Sequence, residues 1–549
     1  MKIYNRSGLA LLFFAAVFLL AACDGNDPVA PDEEPDPCMF LGVDTCKQQV
    51  ENGNITVNLS DTRQTIHSFG ASDCWTAKFI GKWADVSKKN KIADLLFSTD
   101  TLADGAPIGI GLTLWRFNIG SGSFEQGAAS NITTDWRREE CFQKPDGSYD
   151  WSKQEGQQWF LNAAKQRGVP YTLGFSLSAP VHMTINGKAF NGTTGTKLNI
   201  FADKFDAYAD FMVAVSDHFK FNYLSPINEP QWAWGANDQA SQEGTQAENG
   251  EIASLTKLLS QRFAANSSST QIVVGEAGSW VYLYGNNTDG RGDQITQFFW
   301  PANANYIADK PNVARIISGH SYWTTCPDNT IVTTRQQLLN KVNQVDPSLQ
   351  LWQTEFGILG DICGQYNGSP RNTTIDYGLY VAKVIHHDLA IANITSWQWW
   401  LSMSPYNYSD ALVYINDPSG AMNVDNCKTD GIVLDSKQLW AMGNYSRFIR
   451  PGMKRVSASI SGYSDAVTAA NTMMISAYKD ENKKKLVIVV VNFERQEKKL
   501  KLRNDAIKRK TVNAYITDAE RSLKKTVLVT DNILIPARSV VTLETTYQD

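Results

Sequence analysis

The sequence predicts an α/β protein: a closed (β/α)8 TIM barrel with a side antiparallel β-sandwich, the latter formed by the C-terminal region plus one N-terminal strand. Three observations carry this expectation. Short apolar runs alternate with amphipathic stretches from about residue 66 to 445. Eight strand-then-helix units in succession fit a closed parallel barrel. After Pro451 the pattern changes to short β-rich runs with no helical periodicity between them.

Taken in order, Lys2 and Arg6 precede an apolar run over 9–22 that ends in Leu-Ala-Ala-Cys. Basic residues, a short apolar stretch and small residues at its end predict a signal peptide over 1–22. The ending resembles a bacterial lipobox, which implies acylation of Cys23 and an exported lipoprotein at the outer membrane or cell surface. Membrane contact is then expected only through that lipid anchor. Residues 23–52 include "DGNDPVAPDEEPDP", acidic and Pro-rich, and are expected to be an extended tether.

A strand is expected over 53–65, in "NITVNLSDTRQTI" (54–66), and should pair into the C-terminal sandwich. The barrel is expected over 66–448, its strands ending near Ser72, Phe117, Ser178, Ile227, Glu276, His320, Glu355 and Trp399. Between them, Phe201, Phe205, Tyr208, Phe211, Val215 and Phe219 recur at three- and four-residue steps, as do Ile252, Leu255, Leu259 and Phe263. A doubly wound open sheet would carry a Gly-rich phosphate loop, and Gly109-Ile110-Gly111 lacks the third glycine. The sandwich, 449–549, is read from "KKLVIVVVNFE", "TVNAYITD", "KKTVLVTD" and "ILIPARSVVTLETT".

Composition narrows the function. Of 549 residues, 43% are hydrophobic and 19% charged, enough to bury a large core. The net charge of −5 and the lack of a basic stripe exclude nucleic acid as a partner, and a monomer is expected. Seven cysteines follow Cys23: Cys38, Cys46, Cys74, Cys141, Cys326, Cys363 and Cys427. Their pairing is not readable from spacing, although Cys38 and Cys46 could close a small loop. None has the Cys-x-x-Cys spacing of a zinc site, and no His-Glu-x-x-His or Gly-x-Ser-x-Gly appears. The six histidines are scattered, with His386 and His387 pointing different ways on a helix. No metal or cofactor is expected. Sixteen Trp and 20 Tyr are enough for a core and for surfaces that stack on sugar rings.

Barrel enzymes collect functional groups at the C-terminal ends of their strands. Glu229 ends the fourth strand in "LSPINEP" and Glu355 the seventh in "LQLWQTEFG", both among apolar neighbours. Buried carboxylates need partners or a task. Two of them across one cleft form the machinery of glycoside hydrolysis: one protonates the departing oxygen, the other attacks the anomeric carbon or activates water. A glycan-binding lipoprotein on a decayed barrel is the competing class, but it has no use for both carboxylates.

These strand ends resemble those of the clan A retaining glycosidases, and more closely glycoside hydrolase family 30. The matching stretches are "HSFGASDCW" (67–75), "WRFNIGSG" (115–122), "FSLSAPVHMT" (175–184), "SPINEPQW" (225–232), "GHSYW" (319–323), "WQTEFG" (352–357) and "WQWW" (397–400), in order along the chain. The resemblance implies Glu229 as general acid/base and Glu355 as nucleophile, with their carboxyl groups about 5–5.5 Å apart. It further implies that Asn228 bonds the sugar 2-hydroxyl and that Tyr322 donates to the nucleophile. Arg116 should pair with Glu355 and depress its pKa. Trp399 is expected to floor the −1 subsite, Trp75, Trp232 and Trp234 to stack on sugars, and Asp73 to bond a hydroxyl.

The substrate is then a β-linked polysaccharide. "ASDCWTAKF" and the region 228–252 look most similar to the family's endo-β-1,6-galactanases, which act on galactan side chains such as those of arabinogalactan. β-1,6-Glucanase and glucuronoxylanase activities are the alternatives within the family. For the latter, Arg137 and Arg138 would have to meet a uronic acid, and a solvated pair of loop charges is the simpler reading.

Overall fold

The computed structural model describes residues 51–548 apart from 194, 196, 237, 286–288, 504–506, 508–511 and 529–531, together with the backbone of 39–40 and 43–44. The expected signal segment, Cys23 and the Cys38–Cys46 loop lie outside the described side chains. No helix among the described residues is long and apolar enough to cross a membrane.

Eight parallel strands close on themselves. They are β1 (Ser68–Ser72), β2 (Leu114–Ile119), β3 (Tyr171–Ser176), β4 (Tyr223–Ser225), β5 (Gln271–Ala277), β6 (Val313–His320), β7 (Gln350–Phe356) and β8 (Ser396–Ser404). β8 pairs with both β7 and β1, which closes the barrel. The expected strand ends fall within a few residues of these. Helices return the chain between strands, among them Phe205–Phe219, Asn249–Ala265, Asp328–Val345 and Ile375–Ala390. Asn249–Ala265 begins at a capping box, in which Glu248 and Glu251 satisfy each other's backbone N–H groups. The helix expected from residue 201 begins at 205, because Ala202–Lys204 form a 3-10 turn and Phe201 is exposed.

Leu114, Leu173, Val273, Ala314, Ile316 and Trp352 fill the lower barrel interior. The upper interior is polar, and the site lies there. One feature was not expected: β8 continues into Ala411–Asn416, which pairs alongside it, and Ile432–Leu434 adds antiparallel to that strand.

Nine further strands form one sheet that folds over a core of its own. The N-terminal strand Glu51–Thr65 lies inside it, antiparallel to Lys454–Ile460 and parallel to Lys498–Arg503. That parallel pairing is the one departure from an all-antiparallel expectation. In Lys485–Asn492, Leu486, Ile488 and Val490 face the sandwich core, whereas Val487, Val489 and Val491 join the barrel's. Burial on both faces explains the unbroken apolar run in the sequence. Asn444 of helix Lys437–Ser446 fastens the seam, donating to Tyr515 O at 3.1 Å and Thr542 Oγ1 at 2.9 Å.

Candidate active site

Arg116, on β2, is the centre of the site. Fully buried, it donates from Nη1 to Glu355 Oε2 and from Nη2 to Asn228 Oδ1 and Glu276 Oε2, each at 2.8 Å. Its guanidinium lies 3.6 Å over the Phe175 ring. Side chains of β5, β7 and the segment after β4 therefore converge on one cation.

Two irregular strand ends turn the carboxylates inward. On β7, Trp352 faces the lower core, and Thr354 reaches Glu276 Oε2 at 3.0 Å. Strict alternation would send Glu355 outward. The register slips between Gln353 and Glu355, which aims the carboxylate into the cleft and Phe356 into the outer core. β5 slips between Val274 and Ala277, where Gly275 has φ +111° and Glu276 φ +41°. Glu229 has φ +47° as well, and its N–H donates to Glu276 O at 2.9 Å. Left-handed backbone at two non-glycine residues stores strain, here held by their mutual hydrogen bond.

His320, at the end of β6, joins the carboxylates. Its Nδ1 lies 2.8 Å from Glu229 Oε1 and its Nε2 3.0 Å from Glu276 Oε2. Burial opposes its charge, but Glu355 and the bonds to Glu229 and Glu276 hold it up to about 10, so both nitrogens donate. For Glu276, burial favours the acid, yet Arg116 and then His320 outweigh it and hold the carboxyl down at about 2. Ser225 Oγ also donates to it at 2.7 Å.

Burial pushes Glu355 up to about 7, with His320 and Arg116 pulling down and Glu229 adding to the rise. Arg116 pairs with Glu355 and pulls its pKa down as expected, but loss of water outweighs the ion pair and the net shift is upward. Tyr322 donates to Glu355 Oε1 at 3.3 Å, as expected, its hydroxyl held well above the ordinary range by burial and then by Glu355. Two cations and one ionised Glu276 make the cluster neutral when Glu229 and Glu355 together carry a single negative charge. An acid–nucleophile pair needs that state.

Glu229, His320 and Glu355 each offer an atom within 4.8 Å of the others. One oxygen of Glu229 thus lies within 4.8 Å of one of Glu355, a close approach that suits direct attack better than a pair held apart around a water. The same triplet has the donor atoms of an ion site. Arg116 and a protonated His320 already supply its positive charge, so a divalent metal would meet like charge.

A cleft of about 350 Å³ opens above the pair, walled by Trp232, Trp234, Tyr322, Trp323 and Trp400. Trp232 and Trp234 line it, and both are tied to Glu229 O, through the Trp232 N–H at 3.3 Å and Trp234 Nε1 at 3.2 Å. Two glycines make room for them. A Cβ at Gly278 would lie 2.0 Å from the Trp232 ring, and one at Gly244 2.2 Å from that of Trp234.

Two expected contacts are corrected. Trp399 is fully buried, its Nε1 donating to Asp410 O at 2.8 Å and its ring facing Phe356. Its neighbour Trp400 lines the cleft instead, because on β8 Ser396, Gln398 and Trp400 share the inner face. Asp73 is also withdrawn: it is fully buried, and its Oδ1 accepts the Asn118 N–H at 2.9 Å. Trp75 is 5% exposed and edge-on to Trp400 at 5.2 Å, so it backs the wall. Glu276, His320, Phe175, Trp323 and Trp400 were not anticipated as site residues. Glu276 and His320 stood at expected strand ends, and that position was the available signal.

Comparison with known proteins agrees with this geometry. The model for O-glycosyl hydrolase family 30 matches residues 52–414. The chain belongs to that family. A conserved exported protein from Bacteroides fragilis has a similar structure (TM-score 0.84, 32% identity, 90% of this chain and all of the other). The catalytic domain of a xylanase C from Talaromyces cellulolyticus shares the fold at TM-score 0.64 and 24% identity, over 90% of this chain and all of that one. Glucuronoxylanase XynC of Bacillus subtilis is 27% identical over 200 residues, which span 35% of this family 30 chain and only 38% of that protein. An endo-β-1,6-glucanase also shares the fold, at TM-score 0.60 and 17% identity over 90% of this chain and 94% of the other. This family 30 chain is accordingly a glycoside hydrolase acting on carbohydrate.

Proposed function

We propose that the chain is a retaining endo-β-1,6-galactanase, exported and anchored by a lipid at Cys23. The observation that carries the mechanism is the close Glu229–Glu355 pair, with His320 bonded to Glu229 and Arg116 to Glu355. Glu229, as acid, protonates the glycosidic oxygen while ionised Glu355 attacks the anomeric carbon. Glu229 leaves this step as a carboxylate, stabilised by the His320 N–H. It then takes a proton from water, which displaces Glu355 and gives net retention. Asn228, oriented by Arg116, meets the 2-hydroxyl beside the reacting carbon.

The substrate assignment rests on the likeness of "ASDCWTAKF" and of residues 228–252 to galactanases. Export is supported by the Leu-Ala-Ala-Cys ending and by the exported Bacteroides relative. The match to glucuronoxylanase XynC favours a second reading, and Arg137, stacked 4.6 Å over Trp75, is the basic group that reading would use. Arg138 is already committed to Ile132 O. A panel of β-1,6-galactan, β-1,6-glucan and glucuronoxylan, with product sizes followed over time, decides between them. Release of short oligosaccharides from β-1,6-galactan alone is expected. Preferential cleavage of glucuronoxylan would transfer the assignment, and binding without release from any polymer would favour a non-catalytic glycan-binding lipoprotein.

A further inference from the structure

We infer that Trp323 and Trp232 seat the leaving-group sugar, on the acid side of the catalytic pair, and that the Cys326–Cys363 disulfide holds that seat in place. The inference rests on the assignment of Glu229 as the acid and goes beyond it by naming where the departing ring lies. Aromatic groups flank the carboxylates on two sides. Trp400, Trp75 and Phe175 pack together beside Arg116, the partner of Glu355. Trp232 belongs to the loop that carries Glu229 and is tied to its carbonyl. Trp323 stands edge-on to Trp232 at 5.5 Å and beside Tyr322 at 5.5 Å.

Trp323 is 44% exposed and has φ +56°. A bulky side chain held at positive φ and left in solvent is costly twice over, and a stacking partner accounts for both. The loop that presents it is pinned at two points just after it. Buried Arg335 donates to Thr324 Oγ1 at 2.9 Å, and Asp388 holds Arg335. Cys326 then bonds to Cys363 of the loop after β7, which also brings Leu359 to the cleft wall.

The test compares two substrates of one glycone: β-1,6-galacto-oligosaccharides, and β-1,6-galactobiosyl fluoride, whose leaving group is a single ion with no ring to seat. Trp323→Ala should lower kcat/KM on the oligosaccharides about tenfold and on the fluoride by less than about twofold, with Trp323→Phe restoring most of the loss. Wild-type enzyme reduced with dithiothreitol should shift the same ratio in the same direction. Equal losses on both substrates, or none on the oligosaccharides, would overturn the seat, and an unchanged ratio after reduction would overturn the role of the disulfide. If the wild type cleaves another polymer of the panel and no galactan, the galactan reading fails by itself. Oligosaccharides and the glycosyl fluoride of that polymer then decide the seat.

Discussion

Arg116 divides its two terminal nitrogens among Glu355, Asn228 and Glu276, and His320 bridges Glu229 to Glu276. Glu276 is therefore the anion that keeps two buried cations in place. Its carboxyl sits at about 2 against an ordinary 4.5. A depressed acid stabilises the fold above the unfolded pKa and loses that contribution as pH falls, here from about 4.5 towards 2. Glu276→Gln should cost on the order of 3 kcal/mol at pH 7 and flatten the acid limb of stability, measured by urea denaturation at pH 3 and 7. For His320, raised to about 10, the sign reverses: its contribution is complete below 6.5 and is lost as pH rises through about 10. Attack requires ionised Glu355, so kcat/KM should fall on the acid side of about pH 7. Sequence revealed Glu229 and Glu355 because each follows a distinctive motif. It hid the role of Glu276, whose neighbours Val-Val-Gly-Glu-Ala look like any buried strand end.

At the level of elements, the eight strands were legible because helical and extended periodicities alternate along the chain. The facing of individual side chains was less so. Register slips on β5 and β7 aim Glu276 and Glu355, and no residue type announces a slip. On β8, "WQWW" offered four consecutive large polar or aromatic residues, so composition could not say which parity faces inward. The structure separates Trp399, sealed in the outer core, from Trp400, on the cleft. Trp400→Ala should therefore lower kcat/KM by removing the cleft wall, as well as lowering the melting temperature through its packing on Trp75 and Phe175, whereas Trp399→Ala should act on kcat/KM far less. Trp399→Ala should cost about 3–5 kcal/mol of stability, seen as a fall in melting temperature. Similar effects of the two on kcat/KM would contradict the assignment.

Across the whole molecule, barrel and sandwich share a seam in which Val487, Val489 and Val491 belong to the barrel's core and Asn444 crosses to the sheet. The sheet also contains the strand that precedes the barrel, so the sandwich is built from segments on both sides of the barrel in sequence. Calorimetry should show one cooperative transition for the two, not two separated ones. The sandwich was foreseen from its short β-rich runs. Its parallel N-terminal pairing was not, because strand direction depends on long-range register that local patterns do not encode. All of this scaffolding serves the placement of two carboxylates for double displacement. The most direct test follows the anomeric proton of the first product by NMR, using whichever panel polymer is cleaved. Initial appearance of the β-anomer, with slow mutarotation afterwards, is predicted. Initial appearance of the α-anomer would contradict the account.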